Sequence, residues 1–344
     1  MRGFSIVVAC LVSFGWDQIF AARGPIQEAF QNGLAAQYRP EDCVWRREYE
    51  HRCPDPDIHV YLHKLGKERI ELQQGSEESR DWLNNVNFDP GLDNVFLIHG
   101  FNGGDGVMPT AVLRDAYVRN GSYNVFAVDW GAMVKSPCYP AAVANIRFVG
   151  SCLAKVLTNL RDLGMSVPRT SCVGHSLGAH LCGVIANYLP FRWERIFGLD
   201  PARPLISPSR LNRLDITDAK FVCAVRTNTG YYGDSLPVGH VDMCANGGKA
   251  QPSCSSAGRP ELCSHNWSLC FMADSLDGRS ELYTEPCSAR CPPLRRIGPR
   301  GKNSLVIGHN MPDKTRGTYC VSTDDFPYCP KSDNDRGDER CCHL

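Results

Sequence analysis

The stretch CVGHSLGAHLCG (Cys172–Gly183) decides the fold of this 344-residue chain. It contains the pattern G-x-S-x-G, with Ser176 between Gly174 and Gly178. The apolar run RTSCVG before the serine is typical of a buried strand, and AHLCGVIANYL after it is typical of a helix. A serine on a sharp turn from strand to helix is called a nucleophile elbow. We therefore predict that Ser176 is a nucleophile; the alternative is a serine in an ordinary glycine-rich turn.

Further apolar runs that end in turn residues predict strands buried on both faces of a parallel sheet. These runs are Asn94–Gly100, Tyr123–Trp130, Arg169–Gly174, Arg195–Asp200 and Ala219–Val225. Residues 58–62 alternate apolar and polar side chains, which predicts a half-buried strand. Residues 141–164 and 179–189 carry apolar side chains at helical spacings, so helices are predicted between strands. This alternation indicates an α/β fold with a mostly parallel central sheet flanked by helices.

The order of candidate catalytic residues along the chain is Ser, then Asp or Glu, then His in this kind of fold. Asp200 ends the next predicted strand, 24 residues after Ser176, at the edge where α/β sites form. Asp129 also ends a strand, but it precedes the serine and is the weaker candidate. His265, 89 residues after Ser176, is predicted in a loop directly after Cys263. His240 is the alternative base, without a neighbouring cysteine to hold it.

Two main-chain N–H groups are predicted to stabilise the oxyanion that forms during acyl transfer. One belongs to Leu177, directly after the nucleophile, and the other to Phe101, in the loop after an early strand. The remaining polar and sulfur side chains near the elbow are predicted to support the structure. They are His99, His175 and His180, with Cys172 and Cys182 expected as small core residues.

The N-terminus and the cysteines predict a secreted protein. Residues 1–22 have one basic residue, an apolar run of about a dozen residues and then small residues, as signal peptides do. The alternative is a membrane anchor, and no transmembrane segment is expected in the mature chain. The 18 cysteines fit disulfides in an oxidising compartment better than zinc binding. Lys plus Arg and Asp plus Glu both number 37, so nothing points to nucleic acid.

Composition divides the chain into four expected segments. After the signal peptide, residues 23–56 form a polar extension or pro-segment that Cys43 and Cys53 tether. Residues 57–330 form the α/β domain, whose last part is rich in cysteine. Residues 331–344 form a charged tail.

Several blocks of sequence together resemble the pancreatic-lipase family of α/β-hydrolases. They are FLIHGF, VDW, NIRFVG, GHSLGAH, GLDPARP, GHVD, NGG and CSH, in family order between Val60 and Ser268. The resemblance implies the α/β-hydrolase fold and hydrolysis of lipid acyl esters by a Ser-Asp-His triad, without a cofactor for the chemistry. Carried over, the triad is Ser176, Asp200 and His265. The oxyanion donors are Phe101 and Leu177.

The resemblance also implies a branch of that family. The pair that encloses the family's lid matches Cys254 and Cys263, which leaves only eight residues, SSAGRPEL, between them. No C-terminal β-sandwich is expected. A short lid resembles the secreted phospholipase A1 branch, including arthropod members, which act at membrane or lipoprotein surfaces. Triacylglycerol lipase is the alternative activity, and a yolk-type protein that binds lipids or ligands without catalysis is the alternative class.

The segment RLNRLDITDAK resembles the family's calcium loop. The resemblance implies side-chain ligands from Asp215 and Asp218 and main-chain carbonyl ligands from Arg210 and Arg213. Oxygen ligands suit calcium, which would be structural here. The alternative is a pair of solvated turn aspartates.

Three residues depart from the family pattern near the predicted base. Trp267 stands two residues after His265, where arginine is usual in the family, and Cys244 and Cys270 are added cysteines. A disulfide between Cys244 and another added cysteine is left open.

Overall fold

The computed structural model describes residues 38–72, 86, 88–276, 283–292, 305–306 and 308–322. The predicted signal peptide (residues 1–22) and the charged tail (331–344) lie outside the described residues. Residues 23–37 of the predicted extension also lie outside the described residues.

The strands of the described residues form one sheet. In sequence order they are β1 (His59–His63), β2 (Ile70–Glu71), β3 (Asp93–Ile98), β4 (Tyr123–Asp129), β5 (Thr170–His175), β6 (Trp193–Leu199), β7 (Ala219–Arg226), β8 (Val241–Ala245), β9 (Tyr283–Pro286), β10 (Leu305–Val306) and β11 (Gly317–Val321). Their order across the sheet is β10-β9-β11-β8-β7-β6-β5-β3-β4-β1-β2. The run from β4 to β11 is parallel, and the margins on both sides are antiparallel.

Helices cover both faces of the sheet. They are α1 (Thr110–Asn120), α2 (Tyr139–Asp162), α3 (Leu177–Ala186) and α4 (Pro260–Leu276). One apolar core lies under α2 and α3, and a second lies under α1 and α4. Adjacent residues of β3 point to opposite cores, Phe96 to the first and Leu97 to the second, because side chains alternate along a strand. This three-layered arrangement confirms the predicted α/β-hydrolase fold.

Helix α2 is long and apolar enough to cross a membrane by length and composition alone. Its most apolar window is 67% buried within the protein, which is typical of a core helix. Strand β1 differs from its predicted half-buried pattern, since its three central residues are all buried. The reason is that Val60 and Leu62 face the first core while the guanidinium of Arg69 covers the ring of Tyr61 at 4.1 Å.

Six disulfides are present among the described residues. The described pairs are Cys43–Cys138, Cys53–Cys152, Cys172–Cys182, Cys244–Cys291, Cys254–Cys263 and Cys287–Cys320. Cys43 and Cys53 are thereby joined to Cys138, which directly precedes α2, and to Cys152 within it. The partner of Cys244, left open by the sequence, is Cys291.

Cys172 and Cys182 are buried in the core as predicted, and they also form a disulfide that the prediction did not include. Strand β5 and helix α3 pack against each other on either side of the turn at Ser176. The Cα atoms of Cys172 and Cys182 are therefore 6.0 Å apart. At that distance two cysteines can form a disulfide. The elbow is therefore closed by a covalent bond between its strand and its helix.

Candidate active site

Ser176 lies on the sharp turn between β5 and α3. Its φ of 56° and ψ of −119° are strained for a residue with a side chain. The turn needs glycine on either side, because a Cβ at Gly174 would lie only 2.2 Å from the carbonyl oxygen of Gly178. The backbone N–H of Ser176 donates to the carbonyl of Leu199 at 3.0 Å. These contacts define the predicted elbow and hold its serine at the carboxyl edge of the sheet.

Asp200 and His265 form a buried hydrogen-bonded pair. The imidazole Nδ1 of His265 donates to the carboxylate Oδ2 of Asp200 at 2.6 Å. His265 is 5% exposed and Asp200 is 0% exposed. The other oxygen, Oδ1, accepts the backbone N–H groups of Thr227 at 2.8 Å and Asn228 at 3.1 Å. With Nδ1 protonated, Nε2 of His265 carries the lone pair that a general base needs.

Neighbouring strands bring these residues together with Ser176. In the pairing of β5 with β6, His175 lies opposite Leu199, so Ser176 and Asp200 both follow the last pair. His265 also lies beside the elbow, since the Nε2 of His175 donates to its carbonyl at 3.3 Å. The three predicted triad residues therefore meet at one edge of the sheet.

His265 lies in helix α4 and not in the predicted loop. The helix begins at Pro260, and proline is favoured at the first helical position because its missing N–H is not needed there. The disulfide between Cys254 and Cys263 is formed as the resemblance implied. It fixes the first turn of the helix and leaves His265 in the second turn.

The two predicted oxyanion donors flank Ser176. Leu177 is the first residue of α3, where an N–H has no partner within the helix. Phe101 follows Gly100, which touches the serine so closely that a Cβ there would lie 2.6 Å from the Cβ of Ser176. No hydrogen bond from either N–H to the rest of the described chain is present. Both are thus available to a ligand.

Main-chain and aromatic contacts hold the loop that carries Phe101. The N–H of Asn102 donates to the carbonyl of Val134 at 2.8 Å, and its side-chain oxygen accepts the N–H of Ser136 at 2.6 Å. The Phe101 ring packs edge-on against Tyr139, with centroids 5.0 Å apart. The donor position is therefore fixed before any substrate binds.

The histidines beside the elbow have structural partners. The Nε2 of His180 donates to the carbonyl of Ala202 at 2.6 Å, and its Nδ1 accepts the N–H of Leu214 at 3.1 Å. Burial lowers the pKa of His180 to about 4 and that of His175 well below the usual value. The Nδ1 of His99 donates to the carbonyl of Gly100 at 2.9 Å. All three are therefore placed as supports of the elbow and the oxyanion loop.

The alternative acid and base lie elsewhere. Asp129 accepts the N–H groups of Gly131 at 2.8 Å and Asp105 at 3.1 Å, and its carboxylate is not bonded to His265. His240 accepts the N–H of Val222 at 3.0 Å through its Nδ1. These contacts separate both residues from the Asp200–His265 pair.

Sequence reasoning missed the residues that support Asp200. Thr227 and Asn228 donate to its carboxylate, and Gln251 in turn supports the segment that carries them. Its Nε2 donates to the carbonyls of Thr227 at 2.9 Å and Ala245 at 3.0 Å. Its backbone N–H donates to the hydroxyl of Ser264, directly before the candidate base, at 3.0 Å. No sequence motif marks this glutamine, because its partners are mainly main-chain atoms.

The loop that resembles the family's calcium loop brings its two aspartates, Asp215 and Asp218, together. The N–H of Asp215 donates to Oδ2 of Asp218 at 2.7 Å, and Thr217 donates to Oδ1 of Asp215 through its N–H and its hydroxyl. Oδ2 of Asp215 is buried without a hydrogen-bond partner in the described chain. The Nε of Arg210 lies 4.0 Å from it, beyond hydrogen-bonding distance. The two carboxylates thus lie side by side, and one oxygen of Asp215 has no hydrogen-bond partner among the described residues.

Asp218 shows the electrostatic result of this arrangement. Burial raises the pKa of its carboxyl to about 8, and the charge of Asp215 adds to the rise. The N–H of Asp215 offsets it in part. Within the described residues no hydrogen bond ends on the carbonyl oxygens of Arg210 and Arg213. A buried carboxylate oxygen without a hydrogen-bond partner, a carboxyl with a raised pKa and two main-chain carbonyls are oxygen donors of the kind that a hard cation prefers.

Comparison with known families identifies the chain. A family model described as "Lipase" matches residues 41–289. This match covers well over half of the sequence, so the chain belongs to the Lipase family. The resemblance to the pancreatic-lipase family is thereby confirmed.

Three curated relatives are between 32% and 36% identical to this chain over the residues that match. "Phospholipase A1 member A" of Rattus norvegicus is 32% identical over 278 residues, which are 74% of this chain and 59% of that protein. The same-named protein of Bos taurus is 36% identical with the same coverage. "Phospholipase A1" of Vespula maculifrons is 32% identical over 218 residues, 59% of this chain and 71% of that protein. The chain spans about three fifths of the length of the rat and bovine relatives.

Proposed function

We propose that this protein is a secreted carboxylic-ester hydrolase of lipids, a phospholipase A1 that cleaves the sn-1 acyl ester. The observation that carries the proposal is the buried Asp200–His265 hydrogen bond beside the strained elbow of Ser176. The names of the relatives support the substrate class. The many disulfides support an oxidising, extracellular compartment.

In the proposed mechanism the hydroxyl of Ser176 attacks the sn-1 carbonyl carbon. Nε2 of His265 takes the hydroxyl proton and returns it to the oxygen of the departing lysophospholipid. Asp200 holds the ring and stabilises its protonated form. The N–H groups of Phe101 and Leu177 donate to the oxyanion. Water then attacks the acyl-enzyme by the same proton transfers and releases the fatty acid.

The short loop between Cys254 and Cys263 favours phospholipids over triglycerides. A long amphipathic lid supplies apolar surface for gripping an oil droplet, and this loop offers only eight residues. Most of them are exposed and polar or small. A polar head group therefore meets little obstruction beside His265.

Digestion of a phosphatidylcholine with different sn-1 and sn-2 chains, beside a triglyceride emulsion, tests this specificity. We expect release of the sn-1 acid in large excess over the sn-2 acid, because the proposal places the sn-1 carbonyl at Ser176. The released acids are separated by chain length. Ser176→Ala, purified identically, controls for contaminating lipases. Release of acids from the triglyceride only would reject the phospholipase proposal in favour of a triacylglycerol lipase.

We also propose that a structural calcium ion binds between Asp215 and Asp218, with the carbonyls of Arg210 and Arg213. The unpartnered Oδ2 of Asp215 and the raised pKa of Asp218 support this site. The ion would neutralise the facing carboxylates and fix the loop after β6. The proposed ester chemistry does not involve it.

Calcium should change how stability depends on pH. A carboxyl whose folded pKa is raised stabilises the fold when protonated, so without calcium stability should fall as pH rises from about 4 to about 8. Calcium at a hundred times its Kd should restore about 3 kcal/mol at pH 8. Thermal unfolding in EDTA and in calcium, at pH 5 and pH 8, measures both effects.

The matched variants separate this site from a general effect of calcium. Asp218→Asn should remove the calcium response and flatten the pH dependence in EDTA. Asp162→Asn, at an exposed residue of α2, should leave both unchanged. If Asp218→Asn kept the full calcium response, the site would lie elsewhere.

A further inference from the structure

Two exposed arginines, Arg203 and Arg259, lie in segments next to the candidate base. The ring of Tyr232 packs beside this base, with its centroid 5.4 Å from that of His265. Arg203 donates its N–H to the carbonyl of Tyr232 at 2.8 Å and its Nη1 to the carbonyl of Gly230 at 2.6 Å. The N–H of the residue before Arg203, Ala202, donates to the carbonyl of Ser176. Arg203 therefore connects the elbow to the Tyr232 loop.

Arg259 lies in the loop enclosed by Cys254 and Cys263. Its carbonyl accepts the N–H of Cys263 at 3.0 Å, which holds it directly before α4. It precedes His265 by six residues, on the order of 9 Å along a helix. Burial raises the pKa of Tyr232, and the nearby charge of Arg259 opposes that rise. Arg259 therefore lies in the segment that leads directly into the helix of the candidate base, and its positive charge acts on Tyr232.

Among the described residues, neither arginine has a carboxylate within ion-pair distance. Arginines within ion-pair distance of a carboxylate are Arg46, Arg47, Arg69, Arg114, Arg147, Arg161, Arg169, Arg195, Arg210, Arg213 and Arg226. Arg203 and Arg259 are exposed and are not among them. The neighbouring carboxylate of Glu261 is instead bonded to the amide of Asn228 at 3.2 Å. Neither positive charge is therefore paired with a carboxylate of the described chain.

The chemistry of a glycerophospholipid matches this arrangement. With its sn-1 carbonyl at Ser176, the phosphate diester hangs from the opposite end of the glycerol backbone. Guanidinium groups pair with phosphate oxygens through parallel hydrogen bonds, which are stronger than neutral ones. A triglyceride carries an uncharged ester at that position and gains nothing from either arginine.

We propose that Arg203 and Arg259 form a phosphate-binding subsite beside Tyr232 that selects glycerophospholipids over neutral esters. This subsite rests on the proposed phospholipase function and names the residues that give it its specificity. It assigns a role to the short loop, which positions Arg259 instead of covering the site.

Kinetics with two soluble esters test the subsite without a lipid surface. The substrates are dibutyroyl phosphatidylcholine below its micellar concentration and p-nitrophenyl butyrate, which has no phosphate. For Arg203→Gln and Arg259→Gln we expect the ratio of kcat/KM, phospholipid over nitrophenyl ester, to fall about tenfold each, mainly through KM. The double variant should lose about a hundredfold. Arg259→Lys should keep part of the ratio, because a lysine still presents a point charge.

Arg316→Gln is the matched control. Arg316 is an exposed arginine beside the start of β11, whose Gly317 contacts the carbonyl of His240 at the amino edge of the parallel strands. The Arg316→Gln variant removes one positive charge at the edge of the sheet opposite Ser176. It should leave the ratio of kcat/KM for the two substrates unchanged.

The outcomes separate this subsite from the proposed function. A wild-type enzyme that cleaves the phospholipid, with an unchanged ratio in the double variant, would overturn the subsite alone. Equal losses on both substrates would also overturn it, since they indicate damage to the catalytic geometry. An effect that appears on vesicles but not on the monomeric phospholipid would assign the arginines to membrane attraction instead. A wild-type enzyme that cleaves only the nitrophenyl ester would overturn both proposals.

Discussion

Replacing Ser176 with alanine should lower kcat by about a millionfold on any ester that the enzyme cleaves. The variant lacks the oxygen that forms the acyl-enzyme, and no other hydroxyl stands on the elbow in its place. Alanine keeps the Cβ that fits against Gly100, so the strained turn can still form. Initial rates on the phospholipid, together with labelling by a fluorophosphonate probe, measure the loss.

The control for this variant is a serine far from the site. Ser122 lies in the exposed turn between α1 and β4, at the amino edge of the parallel strands. Ser122→Ala should react with the probe at the wild-type rate, and both variants should unfold within about a degree of the wild type. Hydrolysis by Ser176→Ala above about one per cent of wild type, with a contaminant excluded, would show that another residue is the nucleophile. Failure of the wild type to react with the probe would favour a non-catalytic lipid-binding protein.

The sequence predicted the parts of the site that depend on local pattern and chain order. The elbow at Ser176 needs only a strand, two glycines and a helix, which are all local. Asp200 could be placed because buried parallel strands end at a common edge. Phe101 and Leu177 followed from the position of main-chain groups relative to those strand ends.

The rest depends on contacts between segments far apart in the chain. Gln251 supports Thr227 and Ser264 at once, and no periodicity reveals a residue that works through main-chain atoms. The Cys172–Cys182 bond depends on how closely β5 and α3 pack, which the sequence of either one does not give. His265 was expected in a loop directly after Cys263. Proline at the first helical position produced a helix start instead.

Replacing Asp200 with asparagine should lower kcat about ten-thousandfold while the fold is kept. Asparagine has the same shape, and its carbonyl oxygen can still accept the N–H groups of Thr227 and Asn228. Its amide NH2 then faces Nδ1 of His265 and must donate to it. That contact selects the tautomer with the proton on Nε2, which cannot accept the proton of Ser176. The loss should therefore appear in kcat, with KM changed little.

Two comparisons decide whether the loss comes from the tautomer or from damage. Asp200→Ala removes the acceptor of two buried N–H groups, each of which costs about 1–3 kcal/mol when unpaired, so this variant should also unfold at lower temperature. Asp200→Asn should unfold near the wild-type temperature despite its low kcat. Asp129→Asn tests the other aspartate at a strand end and should lose far less activity, because its carboxylate bonds to Gly131 and Asp105 and not to the base. If Asp129→Asn lost as much kcat as Asp200→Asn while both stayed folded, the acid of the triad would have to be reassigned.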